Sequence, residues 1–249
     1  MEISVKIAEF SGPRPLAVVV GHERSGNHFL MNAIAEVCGY TVSPYLDLDH
    51  ADVNINFHHA ETLADVLGAL AAHRTANVIK SHHDATFFAP IIGEVADQAR
   101  LFYIYRRPGP VMESFWSFIQ GWPWPEGPAA ENVVTFAQTP PAGRLLRYQM
   151  AQAETMFARW VGHVRGWRAL AESHAHVHLI AYEALRDDYE NVMETVCGHL
   201  ECPGGPYPKP DRENYVKAPG AAMHVVKEED RLQLGSWIAQ QMPADLFSE

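Results

Sequence analysis

The sequence predicts an α/β fold: a three-layer sandwich in which helices cover both faces of a central, mostly parallel β-sheet. Four short apolar runs, each suited to a strand, lie at residues 16–20, 77–81, 101–105 and 177–182. Segments with helical periodicity separate them, and this alternation is typical of parallel βαβ units with right-handed crossovers. A glycine-bounded, P-loop-like turn follows the first run and favours the same fold class.

The first element is the strand LAVVV at 16–20, whose five apolar residues are expected of a strand buried on both faces. The segment after its turn places Phe29, Met31 and Ile34 at helical spacing, and this helix is expected to end near Gly39. Strand, turn and helix therefore follow one another directly.

The middle of the chain repeats this alternation. An Ala- and Leu-rich helix is predicted over 61–73, a strand over 77–81 and a further strand over 101–105. A helix is expected to follow as far as about Phe118, because Pro108 is favourable near a helix start.

Residues 119–143 are rich in proline and show little periodicity, which predicts a loop or lid. Its tryptophans, Trp122 and Trp124, either cover a bound aromatic or sugar molecule or form the rim of the core.

The last third of the chain begins with a long helical pattern over 145–173, with a bend expected near one of its glycines. A strand at 177–182, a helix at 190–200 and a Pro/Gly-rich connection at 202–220 are predicted after it. The arginines of the long pattern are expected to be exposed: Arg144, Arg147, Arg159, Arg165 and Arg168.

Composition limits the partners. With 249 residues and 47% apolar composition, the chain is expected to form one domain over 1–249. Its 30 acidic and 19 basic residues give a formal charge of −11, which argues against binding to nucleic acid or acidic membranes. No apolar run approaches the ~20 residues that a membrane span needs, so stable membrane insertion is not expected.

The cysteines and histidines favour a protein without a metal. Cys38, Cys197 and Cys202 form no CxxC pair, which disfavours a disulfide framework or zinc site and favours the reducing cytoplasm. Alternate histidines at 174–178 share one strand face but lack a nearby acidic or sulfur ligand, so no metal site is predicted.

The turn after the first strand, GHERSGNH at 21–28, predicts a phosphate-binding site. Gly21 and Gly26 permit a tight turn whose amides converge on an anion, and the next helix adds the positive end of its dipole. The spacing matches GxxxxG, but Asn27 and His28 stand where a nucleoside triphosphatase carries Lys and Ser/Thr. A magnesium–ATP or magnesium–GTP site is therefore disfavoured.

Two further predicted strand ends carry polar side chains, with Lys80 and His82 at one and Arg106 at the other. Because ligands of parallel sheets bind beyond the carboxyl ends of the strands, these side chains are expected to meet the turn. Asp47 is expected to be a solvated loop residue or to border the pocket of an acceptor substrate.

Four ordered motifs make the sequence resemble the sulfotransferase family, whose donor is 3′-phosphoadenosine 5′-phosphosulfate (PAPS). ERSGNHFL at 23–30 resembles the family's phosphosulfate loop PKSGTTWL, and KSH at 80–82 resembles its KTH motif. Arg106 and Ser114 resemble its 3′-phosphate motif, and YEAL at 182–185 resembles its YEDL. The resemblance implies transfer of a sulfonate, without a metal, from PAPS to a hydroxyl acceptor, releasing 3′-phosphoadenosine 5′-phosphate (PAP).

The resemblance also implies the site residues. His82 is expected to be the general base, an effect worth ~10²–10⁴-fold in rate. Arg24 is expected to neutralise charge on the bridging oxygen, and Lys80 to steady the sulfonate. Donor binding is assigned to Arg24, Ser25, Gly26, Asn27, His28, Phe29, Arg106, Ser114, Tyr182 and Lys217.

Several of these residues depart from the family pattern. Phe29 replaces the Trp that stacks on adenine, whereas Tyr182 matches a Tyr that contacts the base edge. Asn27 and His28 replace two hydroxyl residues that bind the 5′-phosphate, and amide and imidazole donors are expected to substitute. The C-terminal RKGxxGDW is not intact, which leaves Lys217 in VKAPGA as a candidate 3′-phosphate ligand.

Two other functions stay open: a P-loop phosphotransferase that uses ATP and magnesium, and a non-catalytic nucleotide-binding protein. The acceptor, a small molecule or a glycan, and the oligomeric state are not predicted.

Overall fold

The structure is a computed structural model that describes residues 7–48, 60–121, 126–211 and 224–246. The described part contains five strands: β1 (Leu16–Val20), β2 (Thr41–Asp47), β3 (Asn77–Ser81), β4 (Ala99–Tyr105) and β5 (Val177–Ala181). They form one sheet in the order β2-β3-β1-β4-β5, and every neighbouring pair is parallel. The predicted α/β sandwich is confirmed, with one strand more than the sequence predicted.

Helices cover both faces of this sheet. Those in the described residues are α1 (Asn27–Cys38), α2 (Ala60–Ala72), α3 (Ala85–Phe88), α4 (Ile92–Val95), α5 (Pro108–Gln120), α6 (Val133–Gln138), α7 (Met156–Ser173), α8 (Tyr182–Asp187), α9 (Tyr189–His199) and α10 (Glu228–Gln241). α1 and α9 pack on one face, and α5, α6, α7 and α10 on the other. None of the helices so described is both long and apolar enough to cross a membrane.

The central strand β1 shows why its sequence is apolar at every position. Leu16, Val18 and Val20 belong to the hydrophobic core on one face, whereas Ala17 and Val19 belong to the core on the other. Side chains of a strand alternate between faces, so a strand covered by helices on both sides needs an unbroken apolar run.

The segment predicted as a loop over 119–143 is partly helical, so that prediction is wrong in part. It includes the end of α5 and all of α6. Asn132 caps α6, because its Oδ1 accepts a hydrogen bond of 2.9 Å from the backbone N–H of Thr135. The predicted lid residues Trp122 and Trp124 lie outside the described residues.

The long helix predicted from about residue 145 begins later than expected. A 3₁₀ helix occupies Gly143–Tyr148, and α7 starts only at Met156. Thr155 caps α7, with its Oγ1 accepting from the N–H of Ala158 at 2.9 Å. From there α7 runs unbroken through both of its glycines to Ser173.

Strand β2 was not predicted because its sequence, TVSPYLD, contains Pro44, which disfavours a strand. β2 lies at the edge of the sheet, where a residue without an N–H is tolerated. Its pairing with β3 also shifts register between Thr41 and Leu46. Asp47, expected in a loop, therefore ends a strand beside β3.

Candidate functional site

The three polar strand ends lie side by side. β1 is hydrogen-bonded to β3 on one side and to β4 on the other, so the segments that follow these strands share one edge of the sheet. His82 directly follows the last residue of β3, and Arg106 directly follows the last residue of β4. The strand order thus brings together the polar strand ends that the sequence predicted to meet.

The turn after β1 needs glycine at two positions. A Cβ on Gly21 would lie 2.6 Å from the carbonyl oxygen of Ile104, and a Cβ on Gly26 would lie 2.5 Å from Cδ2 of Tyr182. Gly26 also has a φ of 106°, and Arg24 has a φ of 65°, a positive value that residues other than glycine rarely adopt. The turn is therefore tightly packed against β4 and Tyr182.

Two guanidinium groups converge beside this turn. Arg24 donates from Nε to Oγ of Ser114 at 3.0 Å, and its guanidinium carbon lies 5.0 Å from the ring centre of Phe118. The guanidinium of Arg106 lies 4.4 Å from the ring centre of Tyr182. Burial, and then the charge of Arg106, lower the pKa of Arg24. No carboxylate in the described part of the chain forms an ion pair with either arginine.

This arrangement suits an anion. Two nearby like charges without a carboxylate between them create a local positive potential in an otherwise acidic chain. The Ser25 hydroxyl is buried in the turn, and among the described residues it has no hydrogen-bond partner. The Asn27 amide is less available, because its Nδ2 donates to the Ser81 carbonyl at 3.3 Å.

His82 is held in one tautomer. Its Nδ1 lies 2.7 Å from the carbonyl oxygen of Gly21, which only accepts, so Nδ1 carries the proton and Nε2 carries the lone pair. No group in the described residues hydrogen-bonds Nε2. Burial, and then the charge of Lys80, hold the pKa of His82 well below its usual value, so the ring is neutral at pH 7.

Lys80 has a partner that the sequence did not reveal. Its Nζ forms an ion pair of 2.7 Å with Oδ2 of Asp47, and the two side chains are only 8% and 13% exposed. Asp47 is therefore a largely buried partner of Lys80 at the end of β2 rather than a solvated loop residue. Nearby, burial and then the charge of Lys80 lower the pKa of His28 to about 4, which keeps its imidazole neutral.

The comparison with protein families identifies the chain. The family model described as the sulfotransferase domain matches residues 17–216. The chain belongs to this family. The resemblance based on the four motifs is confirmed, although no curated protein matches the chain significantly.

Three solved structures are similar to this sulfotransferase domain. Mouse sulfotransferase SULT7A1 in complex with PAP is 15% identical, covering 77% of this chain and 60% of its own, with a TM-score of 0.52. Retinol dehydratase in complex with androsterone and the inactive cofactor PAP is 14% identical. The match covers 88% of this chain and 63% of that protein, with a TM-score of 0.48. The sulfotransferase domain of the Synechococcus PCC 7002 olefin synthase is 15% identical, covering 96% and 99%, with a TM-score of 0.48. The chain thus spans 60% and 63% of the length of the first two.

A buried ion pair holds the turn after β1 of this sulfotransferase domain against α7. Arg159 donates from Nη1 and Nη2 to the two carboxylate oxygens of Glu23 at 2.6 and 2.8 Å. Its Nη1 also lies 2.8 Å from Nε2 of His22, which must accept because arginine only donates. Burial, and then the charge of Arg159, keep the pKa of His22 well below its usual value. Arg159 itself is only 4% exposed, so its predicted exposure is wrong.

A second buried polar side chain of α7, His163, contacts His82. His163 donates from Nε2 to the His82 carbonyl oxygen at 3.1 Å, so its Nδ1 accepts from the hydroxyl of Tyr103 at 2.9 Å. The spacing of Arg159 and His163 on the apolar face of α7, beside Met156 and Trp160, was the signal that sequence reasoning missed.

The expected adenine side of the site contains a further cation. The Phe29 ring is 1% exposed and stacks on Tyr189 with ring centres 6.1 Å apart. Lys209, which sequence reasoning did not single out, places its Nζ 5.5 Å from the Phe29 ring centre. Lys217, the candidate 3′-phosphate ligand, lies outside the described residues.

Proposed function

We propose that this sulfotransferase domain transfers a sulfonate group from PAPS to the hydroxyl group of a small-molecule or glycan acceptor and releases PAP. The observation that supports this most is the pair Arg24 and Arg106, two partly buried guanidinium groups with no carboxylate partner in the described residues. An acidic protein that gathers two such cations at the edge of a parallel sheet has a site for a polyanion. PAP in the complex of the mouse relative is a polyanion of this kind.

The residues present fit a donor with two phosphate groups. Backbone amides of the turn and the Ser25 hydroxyl can donate to the 5′-phosphate at the start of α1. Arg106 is assigned to the 3′-phosphate. The Ser114 hydroxyl already accepts a hydrogen bond of 3.0 Å from Arg24, so we assign two roles to it. It orients the Arg24 guanidinium, and it can donate its own proton to the 3′-phosphate.

His82 supplies the general base in this proposal. Because Gly21 fixes the proton on Nδ1, the Nε2 lone pair is available to accept the proton of the acceptor hydroxyl as that oxygen attacks sulfur. The His163 hydrogen bond to the His82 carbonyl holds the backbone that carries the ring. Asp47 holds Lys80 in place, and we assign to Lys80 the stabilisation of the negative charge on the transferred sulfonate.

The three free thiols of the chain support a reducing compartment such as the cytoplasm for this activity.

Donor binding is tested by calorimetry with PAP and with magnesium–ATP. We expect PAP to bind more tightly than magnesium–ATP. Arg106→Ala should weaken PAP binding about ten- to a hundredfold, because a charge-assisted contact of roughly 1.5–3 kcal/mol is lost. Arg107→Ala is the matched control, since the neighbouring side chain is exposed. Tighter binding of magnesium–ATP would favour a phosphotransferase instead.

Turnover is tested with labelled PAPS and a panel of phenols, aliphatic alcohols, sugars and glycolipids. His82→Ala should abolish transfer while PAP affinity remains, and His73→Ala, at an exposed position after α2, should change neither. Full activity of His82→Ala would rule out His82 as the base. Binding of PAPS without transfer or hydrolysis by the parent protein would favour a non-catalytic nucleotide-binding protein.

A further inference from the structure

All three cysteines of the chain lie together, although two of them are far from the third in sequence. Cys38 ends α1, Cys197 lies in α9, and Cys202 follows α9. The Sγ atoms of Cys38 and Cys197 are 3.4 Å apart, and Sγ of Cys202 lies 4.0 Å from the carbonyl oxygen of Cys38. A buried thiol packs as a small apolar group, so a cluster of all three is noteworthy for its reactivity rather than for its volume.

The three thiols differ in exposure. Cys38 and Cys197 are buried at 3% and 1%, whereas Cys202 is partly exposed. The N–H of Cys202 donates to the carbonyl oxygen of Cys197 at 2.9 Å, and this bond closes the turn that carries Cys202 over the end of α1. Cys202 is therefore the thiol most open to a reagent from solvent, and its Sγ lies against the backbone carbonyl of the buried Cys38.

Arg14 places a positive charge beside the exposed sulfur. Its Nη1 donates to the Cys38 carbonyl oxygen at 2.7 Å and lies 3.8 Å from Sγ of Cys202. The hydrogen bond from Cys38, and then the charge of Arg14, lower the pKa of the Cys202 thiol against the opposing effect of burial. The hydrogen bond to Cys202, together with burial, raises the pKa of Cys38 instead. A cation next to a partly exposed thiol is the environment of a reactive cysteine.

The cluster does not have the arrangement of a metal site. Within the ranges that the structure describes, no group of three or more His, Cys, Asp or Glu side chains is placed to hold a metal ion. The chemistry that these positions favour is thiol oxidation.

We propose that this cluster is a site of reversible oxidation by hydroperoxides, in which Cys202 reacts first and Cys38 then joins it in a disulfide. The Cys202 thiolate attacks the peroxide: an S–O bond forms, the O–O bond breaks, and hydroxide or alkoxide leaves. Cys202 becomes a sulfenic acid, oxidised by two electrons, and the peroxide is reduced. Cys38 then attacks the sulfenic sulfur: the S–S bond forms, the S–O bond breaks, and the Cys38 proton leaves with the hydroxyl group as water.

The disulfide would join α1 to the segment that follows α9, and both lie near the proposed PAPS site. α1 begins in the turn after β1, and the segment after Cys202 contains Lys209, whose Nζ lies 5.5 Å from the Phe29 ring centre. Reduction by a cellular dithiol restores the thiols, which suits a reducing compartment where such bonds are transient.

The proposal is tested on the intact protein with hydrogen peroxide, followed by non-reducing peptide mass spectrometry. We expect a Cys38–Cys202 peptide that dithiothreitol removes, and the same peptide from Cys197→Ala. Cys38→Ala should instead accumulate a dimedone adduct at Cys202, because the sulfenic acid lacks its partner. Arg14→Met should slow oxidation several-fold at pH 7.

Three outcomes would overturn the proposal. The first is a Cys38–Cys197 disulfide with Cys202 still reduced, and the second is direct passage of Cys202 to the sulfinic acid without a disulfide. The third is no dimedone adduct at Cys202 in Cys38→Ala. The parent protein alone decides the first two, so the test does not depend on the folding of any variant.

Discussion

Replacing Arg159 with methionine is expected to destabilise the protein through the carboxylate that it leaves behind. Glu23 and Arg159 are 8% and 4% exposed, and two hydrogen bonds of 2.6 and 2.8 Å join them. Removing one partner of a buried ion pair costs about 3–5 kcal/mol, because the other charge stays buried without compensation.

The position of Arg159 sets the size of this effect. Arg159 also lines a pocket of 310 Å³ between α3, α7 and the segment at 149–153, so truncating it opens a route for water toward Glu23. We therefore expect a loss near the lower bound, about 3 kcal/mol, which corresponds to a melting temperature lower by about 6–12 °C in a protein of this size.

Urea and thermal unfolding followed by circular dichroism measure this loss, and the same helix provides a control. Arg165 on α7 makes a similar two-point contact with Asp245 at 3.1 and 2.9 Å, but the side chains are 52% and 63% exposed. Arg165→Met should cost little, because water already screens this exposed pair. Adding Glu23→Gln to Arg159→Met should recover part of the loss, because the unpaired charge is gone. Equal losses for the two arginine variants, or no recovery, would refute the reasoning.

Gly26→Ala is expected to weaken PAP binding and to lower the melting temperature, because its Cβ would lie 2.5 Å from a Tyr182 ring carbon and its φ is 106°. A Cβ on Gly162, at an exposed position of α7, would meet nothing within 4 Å, so Gly162→Ala should instead stabilise the protein by about 0.5–1 kcal/mol. Melting curves of the two variants check this contrast. Acid should destabilise the protein, because burial lowers the pKa of His163 to about 3 while an unfolded histidine takes up a proton near pH 6.5. The unfolded chain then binds more protons, so stability is present above pH 6.5 and falls below it, by about 2 kcal/mol per such histidine between pH 7 and pH 5. Urea midpoints at the two pH values measure this, and an equal pH dependence in His163→Gln would contradict it. Asp47→Asn should lower the free energy of unfolding in urea by about 3 kcal/mol, because the buried Lys80, 2.7 Å away, loses its counter-charge. Asp245→Asn, at the exposed ion pair with Arg165, should cost little.

The parallel sheet could be predicted from the sequence because strands buried on both faces leave unbroken apolar runs, as at 16–20 and 101–105. Edge strand β2 left no such signal, since Pro44 interrupts it and one side is open. Local spacing also predicted that the ends of β1, β3 and β4 would carry the site.

Contacts across long stretches of sequence were not predictable in the same way. Asp47 lies 33 residues before Lys80, and no local pattern joins them. Periodicity marks Arg159 as lying on the buried face of α7, but it does not name the carboxylate that compensates its charge. Sequence reasoning therefore predicted the polar groups that meet at the sheet edge, but not the groups that hold them in place.

The ion pair between Glu23 and Arg159 has a consequence for the order of assembly during synthesis. The two residues are 136 positions apart, so the strand and turn near the N-terminus leave the ribosome long before α7 exists. Until α7 docks, Glu23 has water as its partner, and the neighbouring backbone lacks the contact that holds it against the helix. A nascent chain that stops before α7 is thus expected to lack high-affinity nucleotide binding, even though it already carries every residue of the glycine-bounded turn.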